Sequence, residues 1–480
     1  MGSMCSNKPI VIETEADPKH LVTKFSKLTS LKKQFEFICQ LGNGAFGKVR
    51  LYRDIYYKDM LYAIKTLKKE GIPKVLYNCL IAEVKILSEL DHPNIVKYYG
   101  TFEDAYYLHI VMEYLKGDNL NKIITLRDYN ELDEQEMAQI IHQLLKALLF
   151  IHNKNIVHRD IKPENIVFGK KRDYSTLKLI DFGLATTTRN TKRNSCGSPY
   201  YMAPEIINGH FCKKTDIWSV GVIIYLMLTG KHPFEITKDG KEDIFDIILY
   251  KDYDVTELDK SECSEEAKDI ILKTLVKDPD KRLSTEECLN HPWIRKNITS
   301  RAGAITKKTM RILKRFSQKT PLQKELFFFI AKITREEEIK QLKEIFNQID
   351  IKSEGMIRMS DIKAAFNSVS ININDKDLNA IWKGLDFHNN NYINYTEFLA
   401  ALISDYSYND NNKLSAMFSF FTGSVEEKQV ITYDILIHKA KTLNLILNEK
   451  ELKESFEKLK KEGRKITFEE FKQLIDPNTQ

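Results

Sequence analysis

The chain has 480 residues, 42% hydrophobic and 29% charged, enough for two or three soluble globular domains. A net charge of +6 is small for this length and gives no reason to expect a nucleic-acid partner. The seven cysteines are scattered without a CxxC pair, which argues against a disulfide framework or a zinc ribbon, and the longest apolar run, Val220 to Leu228, is too short to span a bilayer.

The chain opens Met1-Gly2-Ser3-Met4-Cys5-Ser6, which fits the pattern for myristoylation at Gly2, with Cys5 as a second acyl site. One acyl chain holds a protein to a membrane only marginally, and two hold it firmly. A competing reading makes Met1-Gly2-Ser3 a cloning remnant ahead of a native start at Met4. Residues 1–34 are expected to form an extension, and the protein to be cytoplasmic, with peripheral membrane association only if Gly2 is acylated.

Leu41-Gly42-Asn43-Gly44-Ala45-Phe46-Gly47-Lys48-Val49 is a GxGxxG loop whose glycines let backbone N–H groups approach phosphates. Dinucleotide folds put such a loop between a strand and a helix. Here the pattern predicts a strand at Val49–Tyr52 and another at Tyr62–Lys65, so the loop is the tip of a hairpin. Glu83, in a predicted helix from Leu80 to Leu90, is the natural ion-pair partner for Lys65. Further on come His158-Arg159-Asp160-Ile161-Lys162-Pro163-Glu164-Asn165 and Asp181-Phe182-Gly183. Phosphoryl transfer needs positioning and charge neutralisation. Asp160 is suited to accept a hydroxyl proton, and Asn165 and Asp181 supply the hard oxygen ligands that Mg2+ prefers.

These elements, in this order, resemble the protein kinases. The resemblance covers residues 35–294 and implies ATP and Mg2+ as cofactors. It implies further that Lys162 touches the transferred phosphate, that Met112 is the gatekeeper, and that Glu113 to Leu115 form the hinge behind adenine. Ala203-Pro204-Glu205 resembles the end of the activation segment, and Arg282 the buried partner of Glu205. Asp216-Ile217-Trp218-Ser219-Val220-Gly221 resembles the helix start that braces the catalytic loop. Asn119 stands where many relatives read substrate arginine with an acidic residue. That leaves Glu164, grouped with the nucleotide-site residues, as the chief acidic reader of basic protein substrates. In the activation segment Asn194 holds the usual phosphorylated position, with Ser195, Thr191 and Thr188 as substitutes. Ser198 is expected to play a structural part near Asp160.

Arg295 to Lys319 carries nine Lys or Arg and no acidic residue. Ile305, Ile312, Leu313 and Phe316 fall near one helical face with Lys307, Lys308, Arg311, Lys314 and Arg315 around them. Such a basic amphipathic helix suits the groove of a calmodulin-like fold, or imitates a basic substrate; the bland alternative is a solvated connector. Thr320-Pro321 predicts a helix N-terminus, and Thr334-Arg335-Glu336-Glu337 a capping box. Ile357, Ile393, Ile431 and Ile466 then recur at intervals of about 36 residues, each closing a polar stretch.

Read as helix–loop–helix units, these repeats resemble four EF-hands. In the best loop, Asp386, Asn390, Tyr392, Asn394 and Glu397 stand at ligand positions one, five, seven, nine and twelve. His388 at position three is a poor Ca2+ ligand, and Asn391 replaces the turn glycine. In the loop from Asp350 to Asp361, Lys352 and Arg358 occupy ligand positions, and Lys352 is expected to pair with Glu354 or Asp361 in place of an ion. The third loop, Thr422 to Ile435, lacks a terminal Glu; the fourth, Leu459 to Glu470, has Leu459, Lys461 and Gly463 at ligand positions. One weak Ca2+ site, or none, is expected.

A kinase domain, a basic junction and four EF-hands together resemble the calcium-dependent protein kinases of plants and apicomplexan parasites. The expected fold class is α+β: a bilobal protein-kinase fold at 35–294, an autoinhibitory junction at 295–333, and an all-α calmodulin-like domain at 334–480. The resemblance implies a monomeric Ser/Thr kinase using MgATP, restrained by its own junction helix and regulated through a calmodulin-like domain of reduced Ca2+ competence. A Ca2+-independent kinase controlled by phosphorylation or a partner is the alternative. A non-catalytic scaffold is the reading from another class.

Overall fold

The computed structural model describes residues 26–27, 31–44, 47–55, 58–70, 74–125, 132–187, 198–235, 243–298, 305–335, 338–405, 411–422, 430–442, 447–458 and 465–475. Gly2, Cys5, Ala45, Phe46, Thr188, Thr191, Asn194, Ser195 and most of the third and fourth EF-hand loops lie outside the described residues.

The first lobe is a six-stranded sheet of β1 (Ser26–Lys27), β2 (Phe35–Gly44), β3 (Gly47–Asp54), β4 (Leu61–Lys68), β5 (Tyr98–Glu103) and β6 (Tyr107–Glu113), in the order β1-β5-β6-β4-β3-β2. β2 and β3 make the expected hairpin, and β4 follows antiparallel. Sequence gave no sign of β1, which runs parallel to β5 and so carries the sheet back into the extension before residue 35. Along β4, Tyr62 and Ile64 are buried at alternate positions, as a half-covered strand requires. Lys65 breaks that alternation, being a buried cation on the same strand. Helix α1 (Lys74–Glu89) crosses beside it and brings Glu83.

The second lobe is built on α2 (Glu134–Asn153) and α3 (Lys213–Thr229). Asp133 caps α2 through a capping box with Glu136. Helix α3 is buried continuously from Thr215 to Met227, which is why its apolar run looks membrane-like, and it ends at Gly230 with φ 72°.

The regulatory half contains α4 (Lys307–Ser317), α5 (Pro321–Ile333), α6 (Lys340–Ile349), α7 (Met359–Ser368), α8 (Asp375–Leu385), α9 (Tyr395–Ile403), α10 (Asn411–Thr422), α11 (Tyr433–Thr442), α12 (Glu449–Glu457) and α13 (Phe468–Ile475). Helices α6 to α13 make four helix–loop–helix units. The repeated isoleucines are their pairing points: Ile357 exchanges both backbone hydrogen bonds with Ile393, and Ile431 pairs antiparallel with Ile466. Helix α4 packs on α8 and α9, and α5 on α9, α12 and α13. Leu313 and Phe316 of α4 are fully buried, as the helical stripe predicts. Thr320 caps α5 with Pro321 in the first turn, also as expected.

The capping box expected from Thr334 involves Glu336 and Glu337, which lie outside the described residues. Thr334 closes α5, its Oγ1 donating back to the Ile330 carbonyl at 2.6 Å, and the next long helix begins at Lys340.

Candidate active site and regulatory contacts

Register along the sheet places Lys65 between Val49 and Ile110. Its Nζ lies 2.7 Å from Glu83 Oε1 and 3.2 Å from Asp181 Oδ1. Burial alone would lower the Lys65 ammonium, but the two carboxylates outweigh it and hold it above its ordinary range. Burial likewise works against the Asp181 charge, yet Lys65 keeps that carboxyl below the usual range. Asp181 has φ 57°, a left-handed backbone that turns the carboxylate toward Lys65.

The catalytic loop is set by hydrogen bonds. Asn165 Nδ2 donates to the Asp160 backbone oxygen at 2.8 Å and to Oδ2 at 3.0 Å, which leaves its amide oxygen for a cation. Lys162 Nζ is 2.8 Å from Asp160 Oδ2 and 2.8 Å from Ser198 Oγ, and Ser198 Oγ reaches Asp160 Oδ1 at 3.3 Å. Ser198 thus has the structural place expected of it. Asp216, fully buried, accepts from the backbone N–H of His158 at 3.0 Å and of Arg159 at 2.9 Å, while His152 Nε2 lies 2.8 Å from its Oδ2. Burial opposes the Asp216 charge, but these partners keep its carboxyl low. The strap fixes Arg159 at φ 64° and so aims Asp160. Glu205 and Arg282 make a two-pronged pair at 2.7 and 2.9 Å.

At the nucleotide end, an added Cβ on Gly47 would stand 2.4 Å from the Thr66 carbonyl oxygen, so only glycine fits this turn. Gly42, Lys48 and Val49 line the same hairpin. Met112 and Leu115 are half-buried beside it, whereas the Glu113 side chain turns away, accepting from the Lys97 N–H at 2.6 Å and pairing with Lys178 Nζ at 3.2 Å. Glu164 is exposed. Asn119 caps a short helix, its Oδ1 accepting from the Lys122 N–H at 2.8 Å.

The sequence pointed to none of the contacts that join the halves. Thr396, at position eleven of the second EF-hand loop, donates from its backbone N–H and its hydroxyl to Asp91, both at 2.9 Å. Gly355, at position six of the first loop, presses on His92, which stacks on Phe150 of α2. Lys146 of α2 donates to Asn347 Oδ1 at 2.6 Å, and Lys97 Nζ reaches the Ala331 and Thr334 carbonyls at the end of α5. Asp91 and His92 directly follow α1, the helix that holds Glu83. The basic residues of α4 pair inside the regulatory half, Lys314 with Asp377 and Arg315 and Lys308 with Asp405.

In the second loop Asp386 accepts from the backbone N–H groups of Asn390 and Asn391, and Asn390 Oδ1 from that of Tyr392. Asn394 and Glu397 cap one another. The other Glu397 oxygen is 2.6 Å from His388 Nδ1. The third ligand position therefore holds a nitrogen donor bonded to the twelfth, an arrangement that does not fit Ca2+. In the first loop the expected pairing of Lys352 is corrected: Lys352 is exposed, and Arg358 makes the pair with Glu354. Arg358, four residues on, faces Glu354 across the loop, while Lys352 points outward.

A hairpin over a buried Lys–Glu pair, an oriented Asp–Lys–Asn loop and a positioned Asp181 define a protein kinase. The protein kinase domain family matches residues 35–294, and the EF-hand domain pair family matches 339–403. The chain is 34% identical to calcium-dependent protein kinase 11 of Oryza sativa subsp. japonica over 401 residues, 82% of this chain and 68% of that protein. It is 30% identical over 494 aligned positions to calcium-dependent protein kinase 22 of Arabidopsis thaliana, covering 98% and 96% of the two chains. The chain belongs to the calcium-dependent protein kinase family, and it is a serine/threonine protein kinase. Membership implies ATP, Mg2+ and Ca2+ binding in general terms.

Proposed function

We propose that the chain transfers the γ-phosphate of MgATP to Ser or Thr hydroxyls of basic proteins. The observation that carries this reading is the hydrogen-bonded set around Asp160. Its carboxylate is aimed by Asn165, Lys162 and Ser198, and takes the substrate hydroxyl proton as the new P–O bond forms and the γ-phosphorus bond to the β–γ bridging oxygen breaks, releasing ADP. Lys65, fixed by Glu83, orients the nucleotide phosphates, and Lys162 follows the transferred group. Asp181 and Asn165 would hold Mg2+, which would supply positive charge against the negative charge that develops in transfer. Glu164 favours basic residues near the acceptor.

The regulatory half acts on this site through Asp91 and His92, at the end of the helix that carries Glu83. In the arrangement described, the α4 cations pair with Asp377 and Asp405; a second arrangement in which they face the catalytic cleft would give autoinhibition. Membrane attachment through an acylated Gly2 remains part of the proposal. The test is phosphate transfer from labelled ATP to a basic Ser peptide. Asp160→Asn should lower the rate by roughly 10²- to 10⁴-fold with the fold intact. Undiminished transfer in that variant would remove Asp160 from the mechanism.

A further inference from the structure

In an ion-loaded EF-hand the third and twelfth residues of the loop both reach the cation, with oxygens about 2.3–2.6 Å from it. In the second hand of this chain those two residues touch each other instead. His388 Nδ1 donates to Glu397 Oε1 at 2.6 Å, and Glu397 is wholly buried. An N–H donor offers nothing to Ca2+, and it occupies the carboxylate oxygen that the ion would use.

The imidazole is also built into its surroundings. Its ring packs edge-on to Phe328 of α5 at 5.0 Å, and its Nε2 faces Glu325 of α5 at 3.9 Å. Glu325 in turn accepts from the Asn448 N–H at 3.1 Å, just before α12. One side chain thus ties the second loop to the junction helix and, through it, to the second pair of hands. The first loop shows the same substitution by different residues. Arg358, at position nine, binds Glu354 at position five, and Lys146 of the kinase domain grips Asn347 beside Asp350.

We propose that the first pair of EF-hands is closed by the protein's own nitrogen donors, His388 in the second loop and Arg358 in the first, in the place where Ca2+ would stand. The pair then holds Thr396 on Asp91 and Gly355 on His92 without an ion. This goes beyond the kinase reading and does not depend on it, because its test measures ion binding and stability, not phosphate transfer.

The test is Ca2+ binding to the full chain by equilibrium dialysis with labelled Ca2+, together with the thermal midpoint in chelator and in Ca2+. Wild type and Glu397→Gln should show the same binding, since Glu397 serves His388 and not an ion. His388→Asp places a carboxylate where a ligand belongs, next to Glu397 and Glu325. It should lower the midpoint in chelator, recover it in Ca2+, and gain a site at least about tenfold tighter than anything wild type has in this hand. His388→Asn, an uncharged oxygen ligand, provides the same comparison if the Asp variant fails to fold. A wild-type site that Glu397→Gln abolishes would overturn the proposal. So would folded His388→Asp and His388→Asn proteins that gain no Ca2+ binding.

Discussion

Arg282 shows how much one side chain can carry. Its guanidinium is fully buried, holds both oxygens of Glu205, caps the carbonyls of Val276 and Lys214, and lies over the Trp218 ring. Removing it strands Glu205 beside the core, and breaking a buried pair from one side costs about 3–5 kcal/mol. Arg282→Ala should lower the unfolding free energy of the kinase domain by that amount, read from denaturant titration. A loss under about 1 kcal/mol would show the pair to be solvated. At this scale the sequence was most legible. Lys65, Glu83, Asp160, Asn165 and Asp181 have chemistry fixed by residue type, and each lies where its chemistry requires. Asp91, Lys97, Lys146 and Thr396 could not be found that way. Each is an ordinary polar residue whose meaning comes from a partner more than two hundred positions distant.

Among elements, the junction helix and the repeats were readable because their periods are those of a buried stripe and a paired isoleucine. Strand β1 was not, since two residues carry no periodicity. Two helices approach closely at Gly384 of α8. A Cβ there would lie 2.2 Å from Ser317 Cβ and 2.3 Å from its Cα, so α4 and α8 touch backbone to backbone. Gly384→Ala should force the helices apart and destabilise the regulatory half by about 1–3 kcal/mol, seen as a lower thermal midpoint for the full chain. An unchanged midpoint would mean that α4 is loosely held.

For the whole molecule, the decisive surface is the one between kinase and EF-hands. It joins an apolar cluster, in which Tyr62, Tyr99 and Phe102 of the first lobe share a core with the regulatory half, to polar contacts at Asp91, Lys97, Lys146 and Asp173. Asp91 accepts two hydrogen bonds from Thr396, and losing bonds to a charged acceptor costs about 1.5–3 kcal/mol each. Asp91→Ala should therefore speed amide hydrogen exchange across the 339–403 pair and at residues 91–97, leaving the α3 core protected. Equal exchange in variant and wild type would show that the two halves are held by other contacts. None of this geometry has a local signature; it arises only when both domains are folded and their loops meet.

The contacts behind Glu113 carry a practical consequence. Its carboxylate is fastened to the Lys97 N–H and to Lys178, while the Lys97 ammonium is fastened to the last carbonyls of α5. The strip of backbone expected to hold adenine is therefore propped from the rear by the far half of the chain. A compound library screened against residues 35–294 alone would meet a softer adenine slot than the one the full-length enzyme presents. Rankings by residence time should then differ between the two, with the largest discrepancies among rigid adenine mimics.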